Sequence, residues 1–190
     1  MAKRTMWQLS YGIARPGDLF EKLSIDAAKL TATPHPHDVF NFFVTAAVLN
    51  DWVSQIYSDH PIVSGISDAM KKRSFDVLPV EPGAWIVDKS CLPNLHCDIR
   101  RHIFNALRIC WDTANASKHY HWAAKSEVKA IEPNPIVGDW YQYFFTSVAP
   151  DLYIDYGGEV YGLAQLRGII LQFYAGLLAH LRTEDAPPDA

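Results

Sequence analysis

Residues 38–59, DVFNFFVTAAVLNDWVSQIYSD, read as one long helix, and that reading decides the fold class. Phe40, Phe43, Val44, Ala47, Val48, Trp52 and Ile56 recur at helical spacing and form one expected core stripe. Asn41, Thr45, Asn50, Asp51 and Ser54 fall off that stripe. Upstream, Thr33-Pro34-His35-Pro36-His37 is a break, and Asp38 is the expected cap of the new helix.

Working outward, an earlier helix is expected over Gly17–Thr31. Pro16 lies ahead of it, and Leu19, Leu23, Ala27 and Leu30 keep one phase. A short helix over Ser67–Phe75 would carry Lys71, Lys72 and Arg73 on a solvated face. Asp76–Pro93 reads as an irregular connection because of Pro79, Pro82, Gly83 and Pro93. A third long helix is predicted from Asn94 to His119, with Leu95, Ile99, Ile103, Ala106, Leu107, Cys110 and Ala114 on its apolar side. The pattern then changes. Trp140–Phe145 and Leu152–Tyr156 are aromatic and β-branched, with turn formers at Pro150-Asp151 and Gly157-Gly158, which predicts a hairpin or meander between Ser126 and Tyr161. Leu163–Leu181 closes the pattern as a helix with Leu166, Ile170, Phe173, Tyr174, Leu177 and Leu181 facing inward. The expected fold is mainly α, an antiparallel helical bundle with a small antiparallel β insertion (about 126–161) before the last helix. Residues 1–182 form a single domain on this reading, with a disordered tail over 183–190.

Composition narrows the functional classes. A net charge of -4 supplies no global basic field for a general nucleic-acid binder, leaving only local basic patches. Three cysteines, Cys91, Cys97 and Cys110, without regular spacing point to reduced thiols. The start has no apolar run behind its charges, and Gln165, Arg167, Gln172 and His180 interrupt the most apolar helix, so no membrane association and a cytoplasmic location are expected. An aromatic fraction of 13% exceeds what one small core needs, which places some rings in a groove or an interface.

Chemistry concentrates at the end of the third long helix. At about 100° per residue, Arg101, Arg108, Asp112, Asn115 and His119 share one narrow arc. Asp112 is placed to pair with Arg108 one turn away, and Asn115 to orient His119, whose imidazole suits acid–base work or a phosphate contact. The same column lies opposite the apolar side, as any solvated helix face does. Its flanks, Phe104, Ile109, Trp111, Tyr120 and Trp122, are large and apolar, which suits a cleft floor or dimer interface instead. Both readings stay open at this point.

The ending Asn115-x-x-Lys118-His119 on a long helix late in a bundle resembles the HEPN superfamily of small helical domains. The resemblance implies a helical core without the β insertion. It also implies either metal-independent ribonuclease activity or nucleotide and partner binding, with His119 and Asn115 as catalytic residues and Arg108, Asp112 and Lys118 as binding residues. Nuclease members carry an Arg separated from the His by four to six residues, where this chain has Asp112, Thr113 and Ala114. Arg108 shares the face but lies about three turns from His119. That departure leaves ribonuclease chemistry open while retaining a phosphate-bearing ligand.

No other constellation competes. Cys91, His96, Cys97 and His102, and His35-Pro36-His37, match no metal-ligand spacing, so no metal and no cofactor are expected. No nucleophile elbow is present, and Cys110 falls on the apolar side of its helix. Two functions remain: a HEPN-like domain contacting RNA or a nucleotide through the polar column, or a non-enzymatic homodimeric or partner-binding protein using its aromatic hairpin.

Overall fold

A computed structural model describes residues 12–31, 34–78, 99–119, 128–133, 152–156 and 159–184, with 117–119, 129–133 and 183–184 placed by their backbone. Five α-helices lie among them: α1 (Pro16–Ala28), α2 (Pro36–Ile56), α3 (Pro61–Lys72), α4 (Ile99–His119) and α5 (Leu163–Glu184). A 3-10 turn, Phe75–Val77, follows α3. Three strands, β1 (Val128–Pro133), β2 (Leu152–Tyr156) and β3 (Glu159–Gly162), precede α5. The architecture is the expected helical bundle with an antiparallel β insertion.

Proline opens α1, α2 and α3. At a first helical position it loses no intrahelical hydrogen bond and its fixed φ is already helical. This rule corrects three expected boundaries. α1 begins at Pro16 and ends three residues short of Thr31. α2 begins two residues before Asp38, so the cap is His35, whose Nδ1 accepts from the His37 N–H at 3.2 Å. α3 runs from Pro61, well before Ser67, and stops at Lys72, leaving Phe75 to the 3-10 turn.

The α2 stripe is also corrected. Phe40, Val48 and Ile56 are exposed, while Val39, Phe42, Phe43, Ala46, Leu49 and Val53 are buried together with Thr45 and Asn50. The two stripes are equally periodic, and polar partners decide between them. Thr45 Oγ1 donates to the buried Asp26 Oδ2 of α1 at 2.8 Å, and Lys22 Nζ donates to both groups. At the next residue Tyr174 of α5, wholly buried, donates its hydroxyl to the Ala46 carbonyl at 3.1 Å. Thr45, Asp26 and Tyr174 are each matched, so the face carrying Thr45 can enter the core.

The inward residues of α5 are Leu166, Ile170, Phe173, Tyr174, Leu177 and Leu181, as its periodicity predicts, and the helix continues through Glu184 into the expected tail. Arg167 Nη1 of α5 donates to the Leu30 carbonyl beyond the end of α1 at 2.9 Å, tying the two elements together. The strands pair in sequence order, Ile131 opposite Ile154 and Ile154 opposite Tyr161, with an irregularity between Val128 and Ala130. Ile154, Tyr156 and Tyr161 are buried, while Tyr153 and Val160 are exposed. The expected irregular connection through Pro93, the Trp140–Phe145 segment, the Gly157-Gly158 turn and residues 185–190 lie outside the described residues. No described helix is long and apolar enough to cross a membrane.

Candidate functional site

α4 packs against α2, α3 and α5, which explains the placement of its polar column. Its apolar side is inside as expected, but so is much of the opposite side: residues 103–110 and 112–114 are all buried. Arg108 is 3% exposed and Asp112 5%, so these two do not form a solvent face. Arg108 Nη2 donates to Asp112 Oδ1 at 2.8 Å, the pair that i, i+4 spacing predicts. Burying both charges without that contact would cost several kcal/mol (order of magnitude) per ion. The satisfaction is incomplete, because Arg108 Nε and the neighbouring Thr113 Oγ1 are buried with no hydrogen-bond partner among the described residues.

The first half of α4 is different. Asn105, also buried, donates to the Tyr161 hydroxyl at 2.7 Å and to Glu159 Oε2 at 3.2 Å. The Tyr161 hydroxyl donates to Glu159 Oε2 at 2.7 Å, and His102 Nδ1 lies 3.1 Å from the same oxygen. That hydroxyl hydrogen is already committed to Glu159, so the His102 contact requires an Nδ1–H donor. Arg101 reaches Glu159 Oε1 at 2.6 Å and lies over the Phe75 ring. Burial, reinforced by the Glu159 carboxylate, pushes the Tyr161 phenol up and keeps it protonated. Arg101, the first member of the sequence column, therefore clamps the sheet to α4 rather than joining Arg108.

Beside Arg108 a cavity of about 340 Å³ opens between three helices. α2 contributes Asn50, Asp51 and Ser54, the polar residues that the sequence places off its expected stripe. α3 contributes Ser67, Met70, Lys71 and, just past its end, Arg73; α4 contributes Arg108 and Trp111. Ser67 Oγ donates to Ser54 Oγ at 3.1 Å, tying the α2 and α3 walls together. Lys71, Lys72 and Arg73 are exposed as predicted, yet Lys71 and Arg73 turn out to border this cavity while Lys72 pairs with Asp68 at 3.8 Å. Three cations thus meet one lining carboxylate in a chain whose net charge is -4. Ordinary ligand pockets hold about 300–1,000 Å³.

The remaining site candidates are placed as follows. Asn115 is half-buried and does not line the cavity; Lys118 and His119 end α4, placed by their backbone. At about 1.5 Å per residue, His119 is roughly 16 Å along the axis from Arg108, so the column does not converge on one point. Cys110 is fully buried, and desolvation pushes its thiol up, which makes it a core residue rather than a nucleophile. Among the described residues no group of three His, Cys, Asp or Glu could hold a metal. A second cavity, about 560 Å³, lies at the start of α1 beside Arg15 and Arg182. Its carboxylate, Asp18, already accepts from the Ala14 and Arg15 N–H groups at 2.9 Å each.

No family model, curated protein or solved structure matches the chain. The chemistry of the cavity itself is then the guide to function. Sequence reading reached Arg108, Asp112 and the basic run one by one. Trp111 was legible as a large apolar flank of the column, but Asn50, Asp51, Ser54 and Ser67 were missed as cavity walls, and for the three on α2 their polarity off the core stripe was the only available signal.

Proposed function

We propose that this domain binds a phosphate-bearing nucleotide unit, free or within an RNA strand, in the cavity between α2, α3 and α4. The observation that carries the reading is Arg108: a buried guanidinium at a cavity wall, with one nitrogen lacking a partner among the described residues and two further cations beside it. An incompletely satisfied buried cation is a poor choice for stability alone, and anion binding gives it a use. Trp111 and Met70 offer a stacking platform for a base. The Asn50 amide offers both a donor and an acceptor for its edge. The cavity volume suits one nucleotide unit rather than an oligomer. Farther along the same helix, Asn115, Lys118 and His119 follow at about 10–16 Å from Arg108 along the axis, more than one unit farther along a bound strand, and the likeness of that ending to HEPN domains supports the same ligand class.

Calorimetric titration with adenosine monophosphate and with a short single-stranded RNA tests the proposal. Lys71→Glu, a cavity-wall change on an exposed residue, is expected to weaken both at least tenfold. Lys72→Glu makes the same charge change away from the wall and is expected to have little effect. Equal losses in the two variants, or no binding by the parent protein, would sink the reading. His119→Ala separates the two ligand sources, leaving monophosphate affinity unchanged and weakening the RNA.

A further inference from the structure

Asn50 sits inside α2 with Leu49 before it and Val53 a turn on, both buried apolar residues. It is itself only 9% exposed, and it lines the cavity beside Arg108. Its side-chain amide has no hydrogen-bond partner among the described residues. A polar side chain inside a helix can usually bond back to the carbonyl four residues earlier. Here that carbonyl belongs to Ala46, which already accepts the Tyr174 hydroxyl at 3.1 Å. In the helical ladder it also takes the Asn50 backbone N–H, so both of its lone pairs are filled. Tyr174 thereby denies the Asn50 amide its nearest partner. A buried amide left unpaired costs its full desolvation, and a leucine at this position would extend the core without that penalty.

The other cavity walls show what the amide can add. Lys71, Arg73 and Arg108 can only donate, which suits phosphate oxygens, and the Asp51 carboxylate can only accept. Ser54 and Ser67 are bonded to each other. Among the lining side chains, Asn50 alone carries a donor and an acceptor on neighbouring atoms. An amide meets adenine through two parallel bonds, its oxygen accepting from N6–H and its nitrogen donating to N7. Guanine presents two acceptors on the same edge, O6 and N7, and leaves the amide oxygen unmatched. We infer that Asn50 is the specificity residue of the cavity and selects adenine by its amino edge.

Asn50 has this role only if the cavity holds a nucleotide, so the inference rests on that reading and names its base. The test titrates the parent protein, Asn50→Leu and Asn50→Ala with three ligands. These are adenosine monophosphate, guanosine monophosphate and purine riboside monophosphate, which lacks only the adenine amino group. The parent is expected to favour adenosine monophosphate at least about tenfold over each of the others, the discrimination a two-point base contact supplies. In both variants that preference should vanish, with adenosine monophosphate falling to the affinity of purine riboside monophosphate. Thermal unfolding is read alongside, and Asn50→Leu should melt no lower than the parent. A melting temperature several degrees lower would mean that the amide is satisfied within the fold, and overturns the inference. Equal affinities of the parent for the three ligands overturn it too, as does an Asn50→Ala protein that keeps the adenosine preference. In those cases a loss of binding in Lys71→Glu leaves the cavity reading standing. If the parent protein binds none of the three ligands and no RNA, the cavity reading fails and the inference with it.

Discussion

The two halves of α4 use polar side chains in opposite ways. Near the sheet, Asn105, Glu159 and Tyr161 hold one another, with Arg101 and His102 joining from the helix. Within a turn beyond Asn105, Arg108 has Asp112, but its Nε and the Thr113 hydroxyl have no partner among the described residues. A connected network fixes how the insertion docks on the bundle. An incomplete one, next to open space, is where a ligand has something to add.

The largest expected effect breaks the comparison on the incomplete side. Asp112→Ala leaves a buried guanidinium without its counter-charge and should cost about 3–5 kcal/mol in denaturant unfolding. Replacing both charges, as Arg108→Met with Asp112→Leu, should recover most of that stability, since apolar residues of similar volume often serve as well. The double variant should still lose nucleotide binding. If it kept full affinity, Arg108 would be a structural residue only.

Tyr161→Phe attacks the connected side. It leaves Asn105 and Glu159 each short of a partner and should cost about 1–3 kcal/mol. Nucleotide affinity should not change, because the sheet junction does not line the cavity. Thr113→Val sharpens the contrast further. It removes a buried hydroxyl that no described group satisfies and should be neutral or stabilising by about 1 kcal/mol. A clear loss would mean that the hydroxyl has a partner after all.

The smallest effect is one of pH and serves as a control remote from α4. The N–H groups of Ala14 and Arg15 hold the Asp18 carboxyl below its usual value of 3.8. A group with a depressed folded pKa stabilises above its unfolded value, and that contribution fades as pH falls through the folded one. Asp18→Asn should therefore flatten the stability profile only below about pH 4. A change in the slope of the profile near neutrality would contradict the assignment, whereas a uniform loss of stability there is expected.

Periodicity made the closing helix legible because Leu166, Ile170, Phe173, Tyr174 and Leu177 leave only one continuous apolar face. It misplaced the face of α2 because Val39, Phe42, Ala46 and Val53 repeat as regularly as Phe40, Val48 and Ile56. The choice was made by Asp26, on another helix. At the site, Arg108 and Asp112 were legible as a pair because they are neighbours on one helix. Their burial was not, since it depends on α2 and α3 closing over them. Glu159 and Asn105 are 54 residues apart, beyond any local motif. Lys71 and Arg73 were read as a charged run, and only the fold divides that run between a cavity wall and open water.

The bond from Arg167 to the Leu30 carbonyl joins residues 137 positions apart. At roughly 5–20 residues per second of synthesis, that separation amounts to on the order of ten seconds between the emergence of the two partners. Through that interval Leu19, Leu23 and Ala27 of α1 can pack on α2, but the remainder of their cover, α5, has yet to leave the ribosome. The nascent chain thus carries a sticky, half-roofed helix pair until α5 is made. Slowed translation of the 163–184 stretch should therefore lower the soluble yield more than the same delay placed within α2.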